Sequence, residues 1–280
     1  MNQPLAPGLY IVATPIGNLG DVTARAAETL CRVDRILAED KRVTAKLLAH
    51  LGATAPMTAY HDHSDDDSRQ RILAEASVKA IALVSDAGTP LISDPGYKLV
   101  RAARGAGILI HTLPGPCAAI AALTLAGLPT DRFLFMGFLP AKAKARSDTI
   151  AEVAGLRASL VLYESGPRLG ESLAALSGGL GERAAAVIRE ITKLHEECLT
   201  GSLADLAVRY ADTAPRGEIV VVIGPPPERS EASDDELDAA LGNALRNLSP
   251  SRAAADVALA LGIPRKRAYA RALELAAREA

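Results

Sequence analysis

The sequence predicts an α/β protein built of two α/β domains and a smaller helical domain at the C-terminus. Short apolar runs, typical of buried strands, alternate with helical segments over most of the chain. A stiff loop rich in Gly and Pro follows one of these runs, at residues 85–96. Near residue 224 a Pro-rich, acidic linker precedes a basic helical segment. We therefore expect domains over residues 1–115, 116–226 and 235–280.

The composition excludes several classes of protein. The chain has 280 residues, of which 49% are hydrophobic, so a sizeable core is available. A net charge of −2 excludes a general polyanion binder, so any contact with nucleic acid must come from local patches. Three widely spaced Cys residues without a CxxC pair indicate reduced thiols. The N-terminus lacks a signal-peptide pattern, and the longest apolar run, residues 117–128, is too short to span a bilayer. These features predict a soluble, cytoplasmic protein.

The N-terminal elements follow from alternating apolar and turn segments. A first strand is expected over residues 9–13, followed by the loop TPIGNLGD and a helix to Leu30 that Asp21 would cap. A second strand, residues 35–39, ends in the four consecutive charges of residues 39–42. Such a run is as typical of a solvated helix start as of a functional strand end, and a helix to Leu51 follows.

The segment HDHSDDD, residues 61–67, allows two interpretations. His61 and His63 have carboxylates nearby and could ligate a divalent ion. Ser64 and three Asp residues also make a favourable helix N-terminus ahead of Ile72. No helical spacing supplies a third ligand, so we predict no metal and favour a loop that faces the substrate.

The loop at residues 85–96 is the candidate binding site. It follows a buried strand predicted over residues 81–84, at the carboxyl end where open α/β sheets bind ligands. It is longer than the roughly 2–6 residues of an ordinary strand-to-helix connection, which favours a functional loop. Asp94 is expected to cap the next helix, with Pro95 in its first turn.

Continued alternation predicts the rest of the two α/β domains. A helix over residues 117–126 consists almost wholly of Ala, Leu, Ile and Thr, and we expect it to be buried on nearly all sides. The closely spaced strands after it predict a mixed sheet. Strands are expected at 108–112, 133–139, 160–164, 185–190, 196–200 and 218–224, helices at 169–176 and 203–210, and a basic loop at 142–146.

The C-terminal segment has the spacing of a helix-turn-helix. Helices are expected over residues 250–261 and 265–279, joined by the turn GIP. Residues 250–280 carry six basic and three acidic side chains, a net charge of +3. This charge favours contact with nucleic acid, and a small dimerisation or capping unit is the alternative.

No turn in the chain has the pattern of a phosphate-binding loop. Neither G-x-G-x-x-G nor G-x-x-x-x-G-K-[ST] occurs. The candidate loop offers backbone groups, the polar side chains of Asp86 and Thr89, and the apolar side chains of Leu91 and Ile92. Such a pocket suits a nucleoside with a zwitterionic or cationic tail better than a polyphosphate.

A series of motifs, in order, carries a family resemblance. They are ATPIGNLGD at 13–21, AEDKR at 38–42, HDH at 61–63, SDAGTPLISDPG at 85–96, LPGPCAAI at 113–120, DRFLFMGFLP at 131–140, YES at 163–165, REITK at 189–193 and RGEIVVVIG at 216–224. They resemble the bacterial 16S ribosomal RNA cytidine 2′-O-methyltransferases of the tetrapyrrole-methylase superfamily. The resemblance covers about residues 8–224, and the tail is similar to the helical extension of many members.

The resemblance implies two tetrapyrrole-methylase-like α/β domains with S-adenosylmethionine in the cleft between them. It also implies 2′-O-methylation of a cytidine in 16S ribosomal RNA, within the small subunit, and a homodimer. The implied cofactor-binding residues are Pro15, Ser85, Ala87, Gly88, Thr89, Pro90, Ile92, Pro116, Cys117, Ala118, Glu164 and Glu190. The chain departs from the family at Lys41, where Thr is usual, and at Gly166-Pro167, where a His commonly precedes Arg168.

A ribose hydroxyl is a poor nucleophile and benefits from a base, or from a cation that lowers its pKa. Glu39, Asp40, His61 and Lys193 are titratable residues at predicted loop ends. Of these, Lys193 and Glu39 are our candidate catalytic residues.

Two other functions are open at this point. A tetrapyrrole methyltransferase of the same fold would have little use for basic residues at 142–146 or in the tail, which suit a phosphate backbone. A ligand-sensing, DNA-binding regulator would rely on the helix-turn-helix and would use the rest of the chain only as a sensor.

Overall fold

The computed structural model describes residues 4–62, 66–227 and 233–279 of the chain. The chain divides into two compact units, one ending at Pro226 and the other beginning at Pro227. Within the described ranges, no helix has both the length and the apolar character needed to cross a membrane.

The first part of the larger unit is a parallel five-stranded sheet. Its strands are β1 (Gly8–Val12), β2 (Arg35–Ala38), β3 (Met57–Ala59), β4 (Ala80–Val84) and β5 (Ile110–Leu113), in the order β3-β2-β4-β1-β5. All its pairings are parallel, so the carboxyl ends of the strands meet at one edge. The helices are α1 (Ala24–Leu30), α2 (Lys41–Leu51), α3 (Asp66–Ala76) and α4 (Tyr97–Gly105).

Both faces of this sheet are covered, as the continuous apolar runs of β1 and β4 predict. Tyr10 and Val12 of β1 belong to a buried cluster with Leu30 of α1 and Leu47 of α2. On the other face, Leu9 and Ile11 pack in a cluster with residues of α3 and α4. The result is the three-layer arrangement of a doubly wound domain.

Two predicted helix caps in this domain are wrong. Thr23 caps α1, where its hydroxyl accepts a hydrogen bond from the Ala26 N–H, while Asp21 ends a short 3-10 turn. At α4 the cap is Gly96, and Asp62 accepts its N–H at 2.9 Å. The Asp94 carboxylate therefore does not cap α4. A β-carbon at Gly96 would contact Leu83, which explains the glycine at φ +132°.

The segment at residues 61–67 is described only in part. Asp62 has the structural role just given, and α3 begins at Asp66. The positions of His63 and Ser64, on which the metal and helix-cap interpretations partly depended, lie outside the described residues. The charges at residues 39–42 are in part a helix start, because Asp40 caps α2 by accepting the Arg42 N–H.

The second sheet is mixed, as the close strand spacing predicts. Its strands are β6 (Phe133–Phe138), β7 (Ser159–Ser165), β8 (Ala184–Arg189), β9 (Glu197–Ser202) and β10 (Glu218–Ile223), in the order β6-β7-β10-β8-β9. Only the β6–β7 pairing is parallel among the described pairings of this sheet. Its helices are α5 (Ala118–Ala126), α6 (Ala143–Val153), α7 (Gly166–Leu180) and α8 (Leu203–Arg209).

Helix α5 lies on this second sheet but is not buried on nearly all sides, contrary to the sequence prediction. Ala119, Ala122 and Leu123 pack on the sheet, whereas Ile120 and Leu125 are 48% and 38% exposed. Composition alone did not reveal this because every position of the helix is small or apolar, so the pattern has no polar face to mark the outside.

The predicted basic loop at residues 142–146 is also wrong, because most of it is the first turn of α6. Arg146 is 4% exposed and forms an ion pair with Glu171 of α7. Lys144 pairs with Asp148 one turn later. These two charges are therefore engaged within the protein.

The smaller unit is a three-helix bundle with its own core. Its helices are α9 (Asp234–Leu245), α10 (Pro250–Leu261) and α11 (Arg265–Glu279), and Leu237, Leu241 and Val257 are among its core residues. The predicted helices at 250–261 and 265–279 are present. The acidic residues expected in the linker, Asp234, Asp235 and Glu236, instead form the first turn of α9. Ser233 and Glu236 close a capping box there.

Candidate active site

A cleft of about 330 Å³ lies between the carboxyl edge of the first sheet and the adjoining end of the second. The first-sheet side comes from the loops that follow β1, β4 and β5. The second-sheet side comes from the end of β7, the start of β10 and the loop after β8. Its lining consists of Ile16, Ala87, Gly88, Thr89, Ile92, Ser93, Asp94, Cys117, Ala118, Phe138, Tyr163, Glu164, Ser165, Ile191, Gly217, Glu218, Ile219 and Val220. A mainly apolar cleft with a few polar groups is the usual form of a small-molecule site.

The loop after β4 is held in place by contacts with its neighbours. Thr14 and Gly88 exchange two backbone hydrogen bonds, of 2.8 and 3.1 Å. The hydroxyl of Thr89 donates to the carbonyl oxygen of Pro116 at 3.0 Å. Gly88 has φ +84°, and a β-carbon there would lie 3.2 Å from Ile16 and 3.6 Å from the Pro116 oxygen. The glycine therefore allows a close approach of backbone to the cleft.

The same loop contains two residues in a conformation that side chains disfavour. Leu91 and Ser93 have φ of 75° and 64° although neither is glycine. Glu190 and Thr192, in the loop after β8, have φ of 52° and 65°. These are the four described non-glycine residues with positive φ, and both loops border the site. Such conformations persist only where the surrounding structure enforces them, and they cluster at binding sites.

Most of the cofactor-binding residues implied by the resemblance line this cleft. Those that do are Ala87, Gly88, Thr89, Ile92, Cys117, Ala118 and Glu164. Pro15 and Ser85 line a second cavity next to it. Pro90, Pro116 and Glu190 line neither cavity, although Pro116 holds Thr89 and Glu190 contacts the N–H of Glu218.

The second cavity, of about 250 Å³, shares Ile16, Ala87 and Glu218 with the cleft. Its other walls carry Thr14, Pro15, Gly17, Leu19, Val43, Thr44, Lys46, Leu47, Ser85, Asp86 and Lys193. Leu19 and Val43 are 40% and 39% exposed, so they offer apolar surface to a ligand. A molecule in this cavity would border a molecule in the cleft.

Lys193 stands in the wall of the second cavity between two carboxylates. Its Nζ lies 2.9 Å from Glu190 and 2.9 Å from Glu218. Burial alone would lower the pKa of Lys193, but the hydrogen bonds to Glu218 and Glu190 outweigh it and raise the pKa. Gly17 is glycine because a β-carbon there would contact the Lys193 side chain. Lys193 is therefore a cation at neutral pH.

Glu190 is held by the start of β10. The backbone N–H of Glu218 donates to it at 2.9 Å, and this bond, with that from Lys193, lowers the pKa of Glu190. A β-carbon at Gly217 would contact the Glu190 carboxylate, so the glycine makes room for it. Glu190, which lines neither cavity, thus holds the ammonium group of Lys193 in position.

Two carboxylates of the candidate loop, Asp86 and Asp94, interact with the carboxylate of Glu39. Burial, followed by repulsion from Glu39, raises the pKa of Asp94 to about 6. The pKa of Glu39 is raised as well, first by burial and then by Asp86. Asp86 accepts the N–H of Asp40 at 2.9 Å. Asp94 lines the cleft. Glu39, the catalytic candidate chosen from the sequence, lines neither cavity.

Glu164 is a structural part of the cleft wall. It is 4% exposed and accepts hydrogen bonds from the Ser165 N–H at 2.8 Å and the Ser172 hydroxyl at 2.5 Å, with Arg168 at 3.5 Å. Its neighbour Tyr163 accepts the N–H of Ala119 at 3.3 Å. Burial, and then the nearby Cys117, raise the pKa of Tyr163.

Sequence reasoning missed several residues that line the cleft. Asp94 was assigned to a helix cap, and Phe138, Tyr163, Gly217 and Glu218 received no role. All of them lie inside or at the edge of motifs that carried the resemblance, which is the signal that could have found them. Within the described residues, no group of three His, Cys, Asp or Glu side chains could hold a metal ion.

Comparison with known proteins supports one family. The family model for Tetrapyrrole (Corrin/Porphyrin) Methylases matches residues 8–207, and the model for the RsmI C-terminal HTH domain matches residues 231–276. A protein of Erythrobacter litoralis named "Ribosomal RNA small subunit methyltransferase I" is 58% identical over 275 residues, covering 98% of this chain and 97% of its own. One of the same name from Mesorhizobium japonicum is 46% identical over 277 residues, covering 98% and 94%.

Solved structures agree at the level of the fold. Diphthine synthase superposes with a TM-score of 0.61 at 15% identity, over 77% of this chain and 89% of its own. Uroporphyrin-III-C-methyltransferase from Thermus thermophilus gives a TM-score of 0.57 at 22% identity, over 78% and 94%. The resemblance and the fold class predicted from the sequence are therefore confirmed. The chain is a methyltransferase that belongs to the tetrapyrrole (corrin/porphyrin) methylases and, within them, to the ribosomal RNA small subunit methyltransferase I family.

Proposed function

We propose that this enzyme methylates the 2′-oxygen of a cytidine ribose in 16S ribosomal RNA, within the small subunit in the cytoplasm, with S-adenosylmethionine as donor. The observation that carries the proposal is the pair of adjoining cavities, which share Ile16, Ala87 and Glu218. Transfer between two molecules requires that they lie side by side in fixed orientation. The relatives named for small-subunit ribosomal RNA supply the class of acceptor.

The cleft fits the donor. When bound, S-adenosylmethionine supplies a methyl group activated by a sulfonium. Gly88 leaves open a cradle that a β-carbon would fill, and Ile16, Ile92 and Val220 provide apolar wall. Asp94 and the backbone around Ala118 offer polar partners in the same cleft. We assign the donor to these residues, together with Thr89, Cys117 and Glu164.

The second cavity fits the acceptor. Its volume of about 250 Å³ is on the scale of a single nucleoside. Leu19 and Val43 provide apolar surface for a base, and Lys46 and Lys193 provide positive charge. A nucleotide there would present its ribose to the wall that the two cavities share.

Lys193 would act as a cation beside the ribose oxygen. Because its ion pairs keep it protonated, it cannot serve as the base; instead it stabilises negative charge as the hydroxyl loses its proton. Glu218, which borders both cavities, is placed to accept that proton. Glu39, the other candidate catalytic residue, would act indirectly, because its negative charge raises the pKa of Asp94.

We further propose a homodimer, which the family resemblance implies. Sedimentation of the purified protein at several concentrations measures its assembly state. A monomer at all concentrations would contradict this part of the proposal.

The test of the reaction uses the intact enzyme, labelled S-adenosylmethionine and small subunits from cells that lack the modification. After the reaction the RNA is digested with alkali, which cleaves only beside a free 2′-hydroxyl. We expect the label in an uncut dinucleotide that contains cytidine, and less of it with a Gly88→Val enzyme when the donor concentration is limiting. Label in a mononucleotide would mean base methylation, and no label in the RNA would contradict the proposed acceptor.

A further inference from the structure

Several cations that the sequence offered for RNA contact are engaged inside the protein. Arg146 pairs with Glu171. In the smaller unit, Arg271 binds both carboxylate oxygens of Asp238 at 2.6 Å and also Glu274. The positive charge available to a polyanion must therefore lie partly elsewhere.

A shallow groove on the second sheet concentrates positive charge. We define it as the arginine groove, with Arg189, Arg209 and Arg216 on its walls and a volume of about 600 Å³. Glu197 is the one carboxylate in the lining, so the lining carries a net charge of +2 on a protein whose total is −2. This is a local patch of the kind that attracts a polyanion.

The three guanidinium groups have different roles. Arg189 is fixed: its Nε lies 3.1 Å from Glu197, and its Nη1 donates to the carbonyl oxygen of Arg216 at 3.2 Å. Arg209 and Arg216 are exposed, and neither side chain forms an ion pair within the described residues. Arg209 and Arg216 are therefore available to a ligand, while Arg189 is held by Glu197 and by the carbonyl oxygen of Arg216.

The groove and the active site occupy the same end of the sheet. Arg189 is followed directly by Glu190, which holds Lys193, and Arg216 is followed by Gly217 and Glu218 of the cleft wall. The pairing of Arg189 with Ile219 across β8 and β10 fixes this proximity. This neighbourhood suggests the groove as a contact for nucleotides that flank a ribose held beside Lys193.

We propose that the arginine groove binds backbone phosphates of the RNA strand next to the methylated nucleotide. The proposal rests on the proposed function, because it takes RNA as the acceptor. A guanidinium presents a planar fork of donors that matches the oxygens of a phosphodiester, so Arg is well suited to such contacts. Contacts of this kind set affinity and register and leave the methyl-transfer chemistry to the active site.

The test compares a double variant, Arg209→Ala with Arg216→Ala, with the wild type and with a matched control, Arg101→Ala with Arg104→Ala. The control removes two exposed arginines of α4 that line none of the three cavities described. RNA affinity is measured by fluorescence anisotropy over a range of salt. We expect the groove variant to bind RNA at least about tenfold more weakly, with the slope of log K against log salt reduced by about 1.4 for two single-strand phosphate contacts.

Three further measurements test whether the groove acts in RNA binding and not in donor binding or in the methyl-transfer step. Affinity for S-adenosylmethionine, measured by calorimetry, should be unchanged and shows that the variant is folded. In methyl transfer, KM for RNA should rise while kcat stays near the wild-type value. A charge-preserving variant, Arg209→Lys with Arg216→Lys, should recover most of the salt slope.

Other results would overturn the proposal in distinct ways. If the wild type methylates RNA but the groove variant keeps the slope and KM of the control, the groove is not a contact and the proposed function stands. If calorimetry detects inorganic phosphate bound to the groove while the RNA slope is unaffected, the groove is a small-anion site. If the wild type methylates no RNA, the proposed function itself fails.

Discussion

The ammonium group of Lys193, in the loop after β8, lies 2.9 Å from a carboxylate oxygen of Glu218, the first residue of β10. The Lys193 side chain is 25% exposed and that of Glu218, which lines both cavities, is 72% exposed. Glu190 approaches the same ammonium from the other side at 2.9 Å. The pair therefore presents both a fixed cation and a carboxylate to the second cavity.

Lys193→Ala should lower kcat for RNA methylation by roughly 10²–10³, the usual cost of removing one group that stabilises developing charge. Binding of S-adenosylmethionine should be retained. Because the ion pairs raise the pKa of Lys193, the wild-type rate should not fall through loss of the lysine proton between pH 6 and 9.5. Kinetics from pH 6 to 9.5 check this, with Lys98→Ala on α4 as a control. Unchanged kcat in Lys193→Ala would remove Lys193 from the mechanism.

Gly88→Val should weaken binding of S-adenosylmethionine by about tenfold or more, equivalent to about 1.4 kcal/mol. The branched side chain would be strained at φ +84° and would enter the narrow space between Ile16 and Pro116. Gly52→Val is the matched control, since Gly52 has φ +67° but nothing within 4 Å of an added β-carbon. Calorimetry of both folded variants provides the comparison. Equal affinities would mean that the cleft is not the donor site.

Asp94→Asn should stabilise the protein at pH 8 relative to the wild type, and the difference should shrink as the pH falls to 4. In the unfolded chain the aspartate pKa is about 3.9, whereas in the fold it is about 6. Between these values the folded state binds more protons, so wild-type stability falls as the pH rises. Asn cannot acquire the charge that burial penalises. Thermal unfolding of ligand-free protein across this range measures the effect.

The control for this effect is Asp148→Asn, which removes an exposed carboxylate that pairs only with Lys144 in the described structure. Its effect should be small over the same pH range, because surface pairs contribute little. A stability difference for Asp94→Asn that does not vary with pH would contradict the raised pKa.

Deletion of residues 229–280 should leave a folded methyltransferase core with unchanged affinity for S-adenosylmethionine. The smaller unit has a separate hydrophobic core that includes Leu237 and Ala268, so its loss removes no core residue of the larger unit. RNA affinity should fall and become less dependent on salt. Anisotropy titrations of the truncated and full chains make the comparison. An identical salt slope would assign the tail a purely structural role.

The local sequence pattern was sufficient to predict those elements whose structure depends on residues close together in the sequence. The apolar runs of β1 and β4 indicated strands buried on both faces, because only such strands dispense with a polar face. The glycine and proline content of residues 85–96 indicated a shaped loop, and Gly88 does adopt positive φ. The helices at Pro250–Leu261 and Arg265–Glu279 follow from Pro at the start of one and Gly after its end.

The sequence by itself therefore determined the fold class, the family and one of the loops that line the cleft, since each is encoded in periodicity, turn chemistry or motif. Tertiary structure alone decided which side chains meet. The local sequence predicts that Asp94 caps α4, whereas Asp62 accepts the N–H of the cap residue Gly96. It also predicts Arg146 as an RNA contact, whereas Arg146 pairs with Glu171. Lys193 and Glu218 lie on separate elements, and no local pattern encodes their contact. Burial and partner charges set the pKa of each such group, and both depend on the packing of segments that are distant in sequence.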